Sequence, residues 1–362
     1  MATRAPASAG GGPRRAPAVE YNPSFVPVGS LYLDERRQRL ERWLRRGLGL
    51  QGFALEPVTG DASFRRYFRL RGRAPSLIAM DAPPPREDAG RFVTAARALA
   101  GLGLHVPEIH AADLEAGFVL LEDLGEDLYS RVLDETRADR LYGDALGALA
   151  ALQALGPGDW SPPAYDRPLL RRELELFPEW FLGRYLGVRL SPGERDELEQ
   201  AFGLLEENAL EQPQVLVHRD FHSRNLVYCP EHNPGILDFQ DAVMGPVTYD
   251  LVSLLRDAYL EWPEARVQDW VFGYRELALQ SGILRDVAED RFWTWFERMG
   301  VQRHLKVLGI FARLELRDGR TAYRGDLPRV LGYLRAACGR DPALAALGAR
   351  LEAVRLPAVA EA

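Results

Sequence analysis

One short polar segment between apolar runs limits what this chain can fold into more than any other feature. Val215-Leu216-Val217 leads into His218-Arg219-Asp220-Phe221-His222-Ser223-Arg224-Asn225. A second apolar run, Leu226-Val227-Tyr228, follows, and Ile236-Leu237-Asp238-Phe239 places an acid thirteen positions after Asn225. The apolar runs read as strands that hold a polar loop rigid, with Asp238 at the end of the next hairpin strand. The spacing fits the pattern H-R-D-L-x-x-x-N, with Phe221 in place of Leu, followed by Asp-Phe where D-F-G is expected. It is the spacing of ATP-dependent phosphoryl transfer. Asp220 would accept the proton of an attacking hydroxyl, and Asn225 and Asp238 would hold a magnesium ion against the phosphates. Magnesium prefers hard oxygen ligands and retains water, so one amide and one carboxylate are a reasonable protein share.

The rest of the chain is compatible with such a site. At 362 residues it can build a sizeable core and two lobes, and its hydrophobic content of 47% is that of a globular protein. A net charge of −7 argues against nucleic acid as a partner. Cys229 and Cys338 are far apart, with no metal-ligand spacing, which points to a reducing cytoplasm. No apolar run approaches the roughly 18 residues of a membrane span. Residues 1–29, rich in Ala, Pro, Gly and Arg, read as a disordered arm without a secretory core.

Taken in order, 34–46 reads as an amphipathic helix and 53–59, 64–70 and 76–80 as short strands. The turn between the first two strands carries Gly60, Asp61 and Ser63, whose backbone N–H groups could cap nucleotide phosphates. Residues 87–101 form a helix with acids in its first turn. Phe118 to Leu121 is a buried strand, and Glu122-Asp123-Leu124-Gly125 a hinge where the backbone of Glu122 and Leu124 could meet adenine. Helices are expected over 139–155, 169–186, from a Ser191 N-cap, and over 248–259, 264–280, 286–299, 302–316 and 327–337. The reading is α+β: a small β-rich N-lobe over 30–124 and a larger, mostly helical C-lobe over 125–355, in a bilobal protein-kinase-like fold.

No A-P-E anchor follows Asp238-Phe239-Gln240-Asp241, and Gly245-Pro246 and a helix come at once, so the acceptor is a small molecule. The chain resembles the aminoglycoside phosphotransferase and choline kinase superfamily. Within it, it is most similar to the bacterial anomeric kinases of N-acetylmuramate and N-acetylglucosamine. The similarity lies in Gly60 to Leu70, Met80-Asp81-Ala82-Pro83-Pro84, Leu121 to Gly125, Phe177-Pro178-Glu179-Trp180, the His218 and Asp238 motifs, and Gln302 to Gly309. The resemblance implies transfer of the γ-phosphate of ATP to the C1 hydroxyl of an amino sugar during cell-wall recycling. It implies Asp220 as base, Asn225 and Asp238 as magnesium ligands, and Asp250 as a brace for the loop.

The lysine that kinases carry on the third strand is missing. Met80 stands there, and Lys306, the only lysine, comes far later. Strand alternation makes Arg66 the first substitute, with Arg65 or Arg69 preferred if the face shared by Arg66 and Phe68 is buried. His222 and Arg224 could reach the transferring phosphoryl group. For the sugar, Glu173, Glu175, Trp180, Gln240, Asp241, Arg303, His304 and Lys306 are candidates, and Trp293 and Trp295 could stack. An N-acetylmuramate carboxylate would need a cation such as Arg303 or Lys306, three apart on one helix face.

Overall fold

The computed structural model describes residues 28–58, 64–158 and 160–357. Gly60, Asp61 and Ser63, and the arm up to residue 27, lie outside the described residues. The chain divides into two compact units, 1–51 and 52–362. In the first, α1 (Val28–Arg42) continues into a π-helical turn, Trp43–Gly47.

The second unit starts with an antiparallel sheet. Its elements are β1 (Ala54–Val58), β2 (Arg66–Arg71), β3 (Leu77–Asp81), α2 (Ala89–Gly101), β4 (Ile109–Asp113) and β5 (Phe118–Glu122), and the strand order is β1-β2-β3-β5-β4. Tyr67 lies opposite Met80, and Arg69 opposite Ile78. Paired residues share a face, so Tyr67, Arg69, Ile78 and Met80 look one way. Phe68 and Leu70 look the other way and are buried. Asp88 caps α2 by accepting hydrogen bonds from the Gly90 and Arg91 amides. Phe92, Val93, Ala96 and Leu99 form its buried face, as their spacing predicts. Sequence periodicity missed β4, whose His-Ala-Ala core carries no strand signal.

The C-lobe follows: α3 (Tyr129–Val132), α4 (Ala138–Leu155), α5 (Arg167–Leu174), a π-helical stretch Phe177–Tyr185, and α6 (Pro192–Leu210). Then come β6 (Gln214–Val217), β7 (Leu226–Val227), β8 (Gly235–Ile236) and β9 (Val243–Pro246). The chain closes with α7 (Tyr249–Leu255), α8 (Glu264–Gln280), α9 (Glu289–Asp318), a 3-10 turn Thr321–Asp326, α10 (Leu327–Arg340) and α11 (Ala345–Ala353). Ser191 and Glu194 form a reciprocal capping box on α6.

Two expectations need correction. The helix expected over 169–186 ends at Leu174 and resumes as the π-helical stretch, because Pro178 has no N–H for the helical ladder. The two helices expected over 286–299 and 302–316 are one, α9, of 30 residues. Gly300 does not break it, and a Cβ there would meet Val252 of α7 at an ordinary 3.8 Å. At 1.5 Å per residue α9 is about 45 Å long. It carries residues from one end of the C-lobe to the catalytic loop.

One apolar cluster joins Met80, Phe92, Tyr129, Phe221, Phe239 and Trp295, so the sheet, α2 and the catalytic loop share a core. A second joins Phe177, Phe202, Leu305, Phe311 and Leu334. Within the second, α9 and the π-helical stretch come closest at Gly309. A Cβ there would lie 2.5 Å from the backbone of Leu176. Backbone cannot swing aside as a side-chain tip can, so Gly309→Ala should destabilise the fold by at least about 1–3 kcal/mol. Urea unfolding followed by circular dichroism checks this, and an unchanged midpoint would contradict the packing.

Candidate active site

Two small antiparallel pairs, β6 with β9 and β7 with β8, carry the site. The loop from His218 to Asn225 connects one pair to the other. The Leu237 amide donates to the Asn225 carbonyl at 2.9 Å, which fixes the approach of Asp238 to the loop. Arg219 and Asp238 both have positive φ, 77° and 62°. Such backbone costs about 1–3 kcal/mol for a non-glycine residue and persists where surrounding contacts impose it. For Arg219 those contacts are visible. Asp250 accepts from the amides of His218 at 2.6 Å and Arg219 at 2.9 Å, as a brace for the loop would. Burial pushes the Asp250 carboxyl up to about 7, against the pull of these amides and of Arg303.

Asp220 is half-buried. Burial alone would raise its pKa, but Lys306, His222, Arg303 and Arg219 outweigh burial and lower it to about 2. Asn225 donates through Nδ2 to the Asp220 carbonyl at 3.0 Å, which leaves its amide oxygen as the acceptor of the pair. Asp238 Oδ1 accepts from Gln240 Nε2 at 2.9 Å and lies 3.5 Å from Arg65 Nη2. His222 donates its amide to the Asp220 carbonyl, and its ring stands edge-on to Tyr259, with Nδ1 enclosed and without a hydrogen-bond partner among the described residues. The Arg224 guanidinium lies over the Tyr259 ring at 3.5 Å and 3.8 Å from Asp326.

Asn225, Leu237 and Asp238 form one wall of a cleft of about 800 Å³. Tyr67, Ile78 and Leu121 line it from the sheet, and Glu122 to Glu126 from the hinge. This volume lies within the range of small-molecule sites. At the hinge the Glu122 amide is committed to the Glu108 carbonyl, whereas the Leu124 amide has no acceptor among the described residues.

The structure sorts the arginines of the sheet. The face shared by Arg66 and Phe68 looks away from the cleft, and Arg66 donates to the buried Asp81, with Nε at 3.1 Å. It is not brought to the phosphate end, in contrast to the first expectation. Arg69 lines the cleft at the hinge, where Asp123 accepts from it at 2.6 and 3.0 Å. Arg65 reaches Asp238, its Nη2 lying 3.5 Å from Oδ1.

The sugar candidates also separate. Glu173 is buried, and its carboxylate takes Lys306 Nζ at 3.0 Å together with Arg219 and the Tyr165 hydroxyl. Burial would raise the Glu173 carboxyl, yet Lys306 and Arg219 hold it below its ordinary value. Lys306 also donates to the Tyr249 hydroxyl at 2.8 Å. Glu173 and Lys306 therefore neutralise one another beside the loop. Arg303 is also buried, but among the described residues it forms no hydrogen bond or ion pair, and its Nε is enclosed. Gln240 and exposed Asp241 stay next to Asp238 and Arg91. Glu175 pairs with Arg195 at 2.7 Å, and Trp180 lies under Arg184 at 4.0 Å. His304 meets the Arg256 carbonyl and stacks on Tyr333, and burial lowers its pKa to about 3. Trp293 packs on Phe272 and Phe296, and buried Trp295 donates to Glu211. The structure gives these five residues protein partners and no place at the loop. Asp257, which accepts from the Ser223 amide at 2.9 Å, went unnoticed in the sequence, although a lone acid within Leu254-Leu255-Arg256-Asp257-Ala258 is a usable signal.

A hinge-lined cleft closed by such a loop is the architecture of a phosphotransferase, and comparison with known proteins agrees. The model of the phosphotransferase enzyme family matches residues 54–291, and the chain belongs to that family. Two relatives bear the name N-acetylmuramate/N-acetylglucosamine kinase. The one from Pseudomonas aeruginosa is 51% identical over 85% of this chain and 90% of its own length. The one from Pseudomonas putida is 46% identical over 87% and 95%. Among solved structures, choline kinase LicA from Streptococcus pneumoniae shares the fold at a TM-score of 0.58 and 13% identity, covering 83% of this chain and 99% of its own. No described helix is long and apolar enough to cross a membrane.

Proposed function

We propose that the chain transfers the γ-phosphate of ATP to the anomeric C1 hydroxyl of N-acetylmuramate or N-acetylglucosamine, as a step of peptidoglycan recycling in the cytoplasm. The observation that supports this reading is that Asn225 and Asp238 line one end of the cleft, with Asn225 hydrogen-bonded to the backbone carbonyl of Asp220, in a chain 51% identical to a kinase named for those sugars. Adenine would lie at the hinge against the Leu124 amide. Asn225 and Asp238 offer two hard oxygens, and no group of three or more His, Cys, Asp or Glu able to hold a metal occurs among the described residues. That donor set suits magnesium and not a zinc-type cage. Bound there, the ion would neutralise charge on the phosphates.

In the step itself the sugar O1 forms a bond to the γ-phosphorus, the bond from that phosphorus to the bridging oxygen of ADP breaks, and the O1 proton passes to Asp220. A carboxylate with a pKa of about 2 is a weak base. The hemiacetal hydroxyl at C1 is the most acidic hydroxyl of a reducing sugar, so it is the one such a base serves best.

The acceptor end favours a neutral or anionic sugar over a polycationic aminoglycoside, because Arg219, Arg303 and Lys306 stand there against Glu173 and Asp220. A buried charge is expensive without a counter-charge. Lys306 has one in Glu173, and Arg303 is left for the lactyl carboxylate of N-acetylmuramate. Arg303→Gln should therefore shift the ratio of kcat/KM for N-acetylmuramate over N-acetylglucosamine down by about tenfold or more, the value of one charge-assisted hydrogen bond. Equal losses on both sugars would remove Arg303 from this role. The function itself is tested by incubating the wild-type protein with magnesium, ATP and each sugar, and reading the product by phosphorus NMR. ADP release with a C1 phosphate is expected, and a phosphate on another oxygen or no sugar-dependent turnover would refute the proposal.

A further inference from the structure

We propose that Arg65 grips the phosphates of the nucleotide, doing from the edge of β2 what a lysine on the third strand does in other kinases. The inference rests on ATP as donor. Met80, at the lysine's position, is fully buried in the core shared with Phe92 and Val93 and carries no charge. Across the ladder from Met80 is Tyr67, and Arg65 precedes Tyr67 by two residues. Its guanidinium is suspended between two acids. Nη2 lies 3.5 Å from Asp238 Oδ1, and Nε lies 3.6 Å from Glu87 Oε2. Glu87 stands just ahead of α2 and is itself held by the Phe64 amide at 3.0 Å. A cation between an acid of the helix behind the nucleotide and the metal-binding Asp is the relation a phosphate-binding lysine has to its partners.

The quality of the contacts separates Arg65 from its neighbours. Arg66, Arg69 and Arg71 form close pairs with Asp81, Asp123 and Glu56. Among the described residues both of Arg65's ion pairs are long and its Nε has no hydrogen-bond partner, while its side chain is only 9% exposed. A buried N–H without an acceptor is costly, and a phosphate oxygen would satisfy it. The planar fork of an arginine can bind two phosphate oxygens at once, which a lysine ammonium cannot do in the same geometry.

Titrating ADP into the wild type, Arg65→Gln and Arg65→Lys by calorimetry tests this, with steady-state kinetics alongside. Arg65→Gln should weaken ADP about tenfold or more and raise KM for ATP in parallel, with KM for the sugar within about threefold. Arg65→Lys keeps the charge but loses the fork, and should weaken ADP at least about threefold. Wild-type protein that binds no ADP would refute the ATP reading itself. Wild-type protein that binds ADP, with Arg65→Gln matching it, would refute the role of Arg65. Should Arg65→Gln fail to give a cooperative melt, Arg65→Lys decides alone, and ADP affinity equal to the wild type would overturn the proposal.

Discussion

Asp220→Asn is expected to lower kcat by about 10²–10⁴, the range of general-base catalysis, and to leave ADP affinity unchanged. The substitution keeps size and shape. It also leaves the loop's bracing in place, since the contacts of residue 220 with His218, His222 and Asn225 all run through its backbone. What is lost is the negative charge facing Lys306 and Arg303, and with it the ability to take a proton. Coupled measurement of ADP release gives kcat, calorimetry gives ADP binding, and a variant within tenfold of wild-type kcat would remove Asp220 as base. The sign of its pKa shift adds a second reading. The surrounding cations depress the carboxyl to about 2, so it is ionised at every pH above that value. Any acid limb in the wild-type kcat/KM profile between pH 4 and 7 must therefore come from another group.

Asp238→Asn should lower kcat by about 10²–10³ and move the magnesium titration to higher concentration, as expected when a charged metal ligand becomes neutral. Asparagine is the informative replacement because residue 238 has φ of 62°, which asparagine tolerates better than alanine does. Gln240 Nε2 can donate to the amide oxygen as it does to the carboxylate. The fold should therefore persist, and a thermal melt close to the wild type would confirm it. An unchanged magnesium dependence would show that Asp238 is not a metal ligand.

The catalytic loop was legible in the sequence because its chemistry is local. Asp220, Asn225 and Asp238 fall on one loop and the hairpin that follows it, so a short stretch of chain is enough to bring Asn225 beside both. Helices α2 and α4 were legible because each carries its own apolar stripe. The arginines were not. Alternation correctly put Arg66 and Arg69 on opposite faces, but which face meets the cleft depends on how α2 and β5 pack on β3. Nor could Glu173 and Lys306 be recognised as mutual partners, since only the tertiary fold brings α5 and α9 to the same loop.

The three-way junction at Glu173, Arg219 and Lys306 has a consequence for biosynthesis. Its members are encoded far apart, and the last arrives only with α9. A ribosome-bound chain that has already exposed the whole catalytic hairpin still has neither the ammonium nor Arg303 to depress the Asp220 carboxyl. Glu173 likewise lacks its Lys306 counter-ion until α9 has been translated, and a premature stop upstream of α9 should yield a protein without turnover even though residues 218–238 are all present, because α9 supplies part of both apolar clusters.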